Sequence, residues 1–121
     1  MESNILEKEW GNYLLAKPCC EDSFPFGPDV HVFKVFNKMF ALIGYRKGQL
    51  SITLKAKPED VTFLTEEFKE IERGYHMSKK HWITVTVSEQ VIGNMIEEWM
   101  DDSYDLVISK LTKREKMKLN E

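Results

Sequence analysis

The stretch Arg73-Gly74-Tyr75-His76-Met77-Ser78-Lys79-Lys80-His81-Trp82 gathers two of the chain's three histidines, three cations and two aromatic residues, with no carboxylate among them. Cations at a loop neutralise phosphates, and aromatic faces such as Tyr75 and Trp82 stack on or position bases. The pair His76 and His81 stands five residues apart. That spacing misses one face of a helix and falls on opposite faces of a strand, so the two histidines read as hydrogen-bonding wedges rather than metal ligands. Trp82 has an equally plain reading as sheet packing. His81 with Tyr75 is the one pair suited to acid–base work, and nothing accompanies it: the sequence has no phosphate-cradling G-x-x-x-x-G-K-[ST], no H-E-x-x-H and no G-x-S-x-G. No catalytic residue, cofactor or metal ligand is therefore assigned.

The elements that must hold this segment are readable on both sides of it. It runs into Ile83-Thr84-Val85-Thr86-Val87, an apolar/polar alternation that places Ile83, Val85 and Val87 on the core face of a strand. Upstream, the β-rich runs His31–Phe36 and Met39–Tyr45 are separated by Asn37-Lys38, which fits a tight hairpin turn. A second turn at Arg46-Lys47-Gly48-Gln49 leads to Leu50–Lys55, with Leu50, Ile52 and Leu54 inside and Ser51, Thr53 and Lys55 outside. Short turns make the pairing antiparallel. Both hairpin tips carry cations: Lys38 on one, Arg46 and Lys47 on the other.

Helices flank the strands. Ser3 can cap a first helix with its apolar stripe at Ile5, Leu6, Trp10, Tyr13 and Leu14, ended by Pro18. Cys19 to Pro28 reads as a loop, with Phe24 and Phe26 tucked inward. Pro58 opens a helix ending near Phe68, with Glu59 and Asp60 at its positive pole and Val61, Leu64 and Phe68 on the core. Ser88 caps a long helix with a stripe at Ile92, Met95, Ile96, Trp99, Met100, Val107, Ile108 and Leu111, and Asp101-Asp102-Ser103 mark a bend in it. Lys113 to Lys118 is a short, basic, exposed helix or a frayed end. The expectation is an α+β fold: a three-stranded antiparallel meander plus a fourth strand, packed against N- and C-terminal helices.

At 121 residues, with 42% apolar and 31% charged side chains, the chain is one globular domain, residues 1–121, with a basic tail over about 112–121. The start Met1-Glu2-Ser3-Asn4 is unlike a secretion signal, and no apolar run nears the roughly 20 residues that span a bilayer; the expected address is cytoplasmic. The adjacent Cys19 and Cys20 suit neither a zinc nor a redox spacing. The net charge of −3 is segregated along the chain. Val30 to Lys57 holds six cations and no acid, Glu59 to Glu72 six acids against Lys69, and Glu89 to Asp105 six acids and no cation. Strands being basic and helices acidic, the packed molecule is expected to have a basic sheet side and an acidic helical side.

In order, Lys17-Pro18, Phe24-Pro25-Phe26-Gly27, Val32-Phe33-Lys34-Val35 with Lys38-Met39-Phe40-Ala41, Leu50-Ser51-Ile52-Thr53-Leu54-Lys55, Gly74-Tyr75-His76-Met77 with Lys79-Lys80-His81-Trp82, and Asp102-Ser103-Tyr104 resemble the MmcQ/YjbR family, over roughly Ile5 to Leu111. The resemblance implies a CyaY-like (frataxin-like) double-wing fold and a DNA-binding role. Asn37 stands where the family commonly has glycine, Arg73 where proline often precedes the glycine, and Ser78 where asparagine is usual.

Together these readings give a non-catalytic DNA-binding protein contacting phosphates through its hairpin tips and the Arg73–Trp82 segment. The residues assigned to that contact are Lys38, Arg46, Lys47, Lys55, Arg73, Tyr75, His76, Lys79, Lys80, His81 and Trp82. A pI near 5.7 weighs against a dedicated DNA binder. The alternative is a module that meets a protein partner, or a metal, through the acidic helical face formed by Glu66, Glu67, Glu70, Glu97, Glu98 and Asp101.

Overall fold

The structure, a computed structural model, describes residues 2–87 and 93–120. Among them the elements run α1 (Glu2–Leu15), β1 (Cys20–Ser23), β2 (His31–Val35), β3 (Lys38–Arg46), β4 (Gln49–Lys55), α2 (Pro58–Glu67), β5 (Ile71–Arg73), β6 (Trp82–Thr86), α3 (Gly93–Ile108) and α4 (Lys113–Leu119). The strands pair antiparallel throughout, in the order β1-β2-β3-β4-β6-β5. The fold is α+β, as expected, but the sheet has six strands rather than four. The strand β1 lies within the stretch read as a loop. Its Cys20-Glu21-Asp22-Ser23 has no apolar alternation because it is an exposed edge held to β2 by backbone pairing. The other addition, β5, is three residues long and pairs along β6. The Ser3 and Ile5 side chains, and the residues Ser88 and Ile92, lie outside what is described.

Both early hairpins close through two residues of positive φ, Phe36 and Asn37 (48° and 66°) and Lys47 and Gly48 (54° and 78°), the backbone twist that matches paired strands. The first turn thus sits one residue earlier than Asn37-Lys38, because Lys38 already pairs with Val35. Phe36 accepts an unfavourable φ there while its half-buried ring packs on the core.

One face of the sheet carries the core. Phe33, Ala41, Ile43, Ile52, Leu54, Ile83 and Val85 meet Trp10 and Leu14 of α1, Val61 of α2, and Ile96, Met100 and Val107 of α3. Each Val, Leu, Ile, Phe or Met side chain among them, fully buried, stabilises the fold by about 1.5–3 kcal/mol. Helix α3 runs unbroken through Asp101–Ser103, so these residues do not interrupt it. Ser103 explains why a polar residue is tolerated on a buried stripe. It is 0% exposed, its hydroxyl donates to the Phe40 carbonyl at 2.6 Å, and it accepts from the Lys55 amide at 2.9 Å. Those two backbone groups lie one step past the last β3–β4 pair, Ala41 with Leu54, so the serine replaces a ladder bond.

Next to it, the Tyr104 hydroxyl donates to the Pro18 carbonyl at 2.5 Å. Asp101 accepts from Tyr13 at 2.7 Å and pairs with Lys17 at 2.5 Å. The motifs Lys17-Pro18 and Ser103-Tyr104 therefore fasten α3 to the end of α1 and to the sheet. Burial pushes the Tyr104 phenol up to about 12, and the bond to Asp101 pushes Tyr13 up to about 12. Beyond α3, Thr112 and Glu115 form a reciprocal cap that orders α4.

Candidate functional site

The face turned away from the helices is built from cross-strand rows. Register carries one row from Val32 through Leu42, Thr53 and Thr84 to Glu72, and a second from Gly44 through Ser51 to Thr86. Alternation correctly sends Ser51 and Thr53 to this side, yet they are only 8% and 9% exposed. Two chain segments cover them. One is the 24–30 loop, which crosses so closely over β3 that a Cβ on Gly44 would stand 3.3 Å from the Asp29 carbonyl oxygen. The other is the turn Gly74–Met77. Between them lies a cleft of about 370 Å³, lined by Phe26, Val30, Leu42, Thr53, Thr84 and Met77, with Arg46, Tyr75 and His76 at its other side.

The second segment is pinned by its own residues. The Gly74 amide donates to the Trp82 carbonyl (2.8 Å), and a Cβ at Gly74 would come within 2.6 Å of the Trp82 Cβ, leaving glycine the one residue that fits. Met77 closes back on Gly74 through a weak bond of 3.4 Å, with His76 at φ 61°, the positive angle required at the third position of a type II turn. The Tyr75 amide donates to Thr84 Oγ1 at 2.9 Å, which draws the turn down onto the sheet. Arg73 donates to the Lys79 carbonyl (3.1 Å) and Lys79 Nζ to the Gly74 carbonyl (2.5 Å), so two of the segment's cations hold the loop's shape. Arg46 reaches over from the β3–β4 tip, pairs with Glu72, and lies 4.0 Å from the Tyr75 ring centre, a cation–π contact.

The expected site residues thus fall into groups. Arg46, Tyr75 and His76 meet at the cleft. Lys47 follows Arg46 at the exposed tip, and Lys80 and His81 are exposed farther along the loop. Arg73 and Lys79 are loop fasteners. Trp82, 8% exposed, packs and offers no stacking face. Lys38 is remote: it begins β3 while Arg46 ends it, roughly 26 Å apart at strand rise, and it pairs with Glu115 of α4 at 3.6 Å. Lys55 lies at the Lys38 end. The two hairpin tips consequently point to opposite ends of the sheet and do not share one flank.

Sequence reasoning missed Phe26. Expected to tuck inward, it is 61% exposed at the cleft, and Phe24 is exposed too, stacked on His31 with centroids 4.5 Å apart. It also missed the hydroxyl floor, although Ser51 and Thr53 on one strand and Thr84 and Thr86 on its neighbour carried that signal.

On the helical side, α2 and α3 border a hollow of about 510 Å³ lined by Asp60, Asp102, Asp105, Lys55 and Lys57 over apolar Leu64, Trp99 and Leu106, with Phe63 exposed. Burial, followed by repulsion from Glu98 and Asp105, raises the Asp102 carboxyl above its ordinary range. Asp101, counted among the exposed acids, is instead tied to Lys17 and Tyr13. Among the described residues no three of His, Cys, Asp and Glu converge to hold a metal ion, and no helix is long and apolar enough to cross a membrane.

Compared with known proteins, residues 15–106 match the family model described as YjbR. The chain is similar to the uncharacterized protein YbdF of Escherichia coli O157:H7, 33% identical over 119 residues and 98% of each chain. It is also similar to the uncharacterized protein YjbR of Escherichia coli K12, 28% identical over 88% of this chain and 90% of that one. In solved structures it resembles Deinococcus radiodurans protein DR2400, described as containing the family-model domain DUF419, at a TM-score of 0.84 and 34% identity over 93% of this chain and 86% of that one. A Pseudomonas syringae protein superposes at 0.70 with 28% identity, over 82% and 96% of the two chains.

Proposed function

The chain belongs to the YjbR family, and from its open sheet face we propose that it is a non-catalytic DNA-binding domain. One observation carries the reading: Arg46 over Tyr75 joins the β3–β4 tip to the Arg73–Trp82 segment at the cleft, with the exposed Lys47 next to Arg46 in sequence and the exposed Lys80 farther along the second segment. In this reading Lys47 and Lys80 contact phosphates, Arg73 and Lys79 keep the loop in shape, and the remote Lys38 takes no part. The acidic overall charge then limits non-specific association with DNA rather than forbidding binding. The free neighbouring thiols Cys19 and Cys20 fit a reducing, cytoplasmic address.

The test is a titration of labelled DNA, single- and double-stranded, at 50 and 200 mM salt. Contact with about four phosphates predicts a drop of about a hundredfold for a duplex and somewhat less for a single strand. Joint Lys47→Glu and Lys80→Glu replacement should lower affinity for the preferred form at least tenfold. Binding that is absent, or indifferent to salt, for both forms overturns the reading.

A second reading, a protein partner on the helical side, is favoured by the hollow between α2 and α3. Exposed Phe63 borders it, and Asp60, Asp102 and Asp105 crowd its lining. A cationic peptide docked there would relieve the repulsion felt by Asp102. Saturable binding of a Lys- and Leu-containing peptide, abolished by Phe63→Ala, would support it; binding unaffected by that change would remove it.

A further inference from the structure

We propose that the open-face cleft is a pocket for one unstacked nucleobase, so that the protein prefers single-stranded to duplex DNA. The proposal rests on the DNA-binding reading and names the part of the ligand that the cleft receives. The first reason is size and lining. A volume of about 370 Å³ lies within the range of roughly 300–1,000 Å³ usual for small-ligand sites. Its walls are apolar at Phe26, Leu42 and Met77, and two rings that line it, Phe26 and Tyr75, are 61% and 43% exposed. The exposed Phe26 ring beside a small concavity suits a flat, largely apolar ring, which a base presents only when it leaves the duplex stack, while the Tyr75 ring is already in contact with Arg46 and His76.

The second reason is hydrogen bonding on the floor. Thr84 Oγ1 accepts from the Tyr75 amide and shares a 3.0 Å contact with Thr53 Oγ1. Two hydroxyl hydrogens are present and that contact uses one of them. Thr84 is 1% exposed, so its hydrogen needs an acceptor within the protein. It therefore donates to Thr53. The Thr53 hydrogen is then the unused donor, on a residue that borders the cleft. Every base carries ring-nitrogen or carbonyl acceptors that can meet it.

The third reason is charge at the mouth. The Arg46 guanidinium lines the slot on Tyr75 but is paired with Glu72, so the net positive charge near the slot comes from the exposed Lys47, next to Arg46 in sequence. Phosphate on the outside and a base within is the arrangement by which single strands are held.

The experiment compares three 12-nucleotide ligands by fluorescence anisotropy at 100 mM salt: a single strand, the same strand with abasic residues through its centre, and the duplex. The abasic strand keeps every phosphate. Stacking of one base, worth about 1–3 kcal/mol, predicts that it binds roughly 5- to 150-fold more weakly than the intact strand, and the duplex should be weakened comparably. Phe26→Ala should reproduce the loss on the intact strand and add nothing on the abasic one. Because Phe26 is exposed, its variant should keep the wild-type circular dichroism spectrum. Equal affinity for intact and abasic strands, with salt dependence retained, overturns the base pocket and leaves the phosphate-binding reading standing. Duplex binding as tight as the single strand also overturns it. A free mononucleotide that displaces the strand at equal concentration would assign the cleft to nucleotides and overturn the strand proposal. No binding of any form overturns both.

Discussion

Leu42 and Ile43 are neighbours in β3, yet they live in different environments. Ile43 points to the helices and is 1% exposed within a continuous apolar layer, whereas Leu42 points to the cleft and remains partly exposed beside Thr53. The helical side is closed by side chains from α1, α2 and α3, and its one buried serine substitutes for a missing ladder bond. The other side is closed by two short segments, the second held by a glycine that admits no Cβ, a histidine at positive φ and a bond from the Tyr75 amide to Thr84. Dense apolar packing of the sheet against α1, α2 and α3 specifies the fold, and the hollow on that side lies between α2 and α3. Loop cover over hydroxyls shields the sheet incompletely, and the gap it leaves has the rings and charge of a binding surface.

That contrast is breakable by substitution. The largest effect should come from the helical side: Ile52→Ala should cost about 2–5 kcal/mol in chemical denaturation, against about 1 kcal/mol for the half-covered Leu42→Ala. Comparable losses would erase the difference between the faces. Ser103→Ala strands the Phe40 carbonyl and the Lys55 amide, at about 1–3 kcal/mol for each group left unsatisfied, and should leave DNA affinity unchanged. Gly74→Ala should cost about 1–3 kcal/mol by overpacking against Trp82 and should also weaken DNA binding, since the whole turn must shift. A Gly74→Ala protein with full affinity would detach the turn from the site.

The smallest effect is at Tyr104. Its Phe replacement should lose about 0.5–1.5 kcal/mol at neutral pH through the bond to Pro18. Its phenol pKa is raised in the folded protein, so the unfolded chain releases that proton first and stability falls as pH climbs from 10 to about 12. Tyr104→Phe should lessen the slope in that window, where the raised Tyr13 phenol also contributes, and an unchanged slope would assign the titration elsewhere.

How much of this was legible depended on periodicity. Ile83, Val85, Ile52 and Leu54 announce their face by alternation, and α2 by Pro58 with its acidic first turn. β1 could not be read, because Cys20–Ser23 pairs through its backbone and carries no pattern. Ser103 looked like an interruption since its partners, Phe40 and Lys55, are far off in sequence. The candidate site was half visible. The Tyr75–His76 segment stood out by composition, but that it folds back over Thr84 to meet Arg46 depends on tertiary contacts. For the same reason Lys38 and Arg46, both at turns, looked alike although one strand separates them.

The central claim, that the loop-covered face is the binding face, is tested most directly by amide chemical shifts on adding a single-stranded oligonucleotide. The account predicts saturable shifts at Leu42, Ser51, Thr53, Tyr75 and Thr84, with Val61, Ser103 and Val107 unmoved. Shifts confined to α2 and α3, with the cleft residues silent, would contradict it.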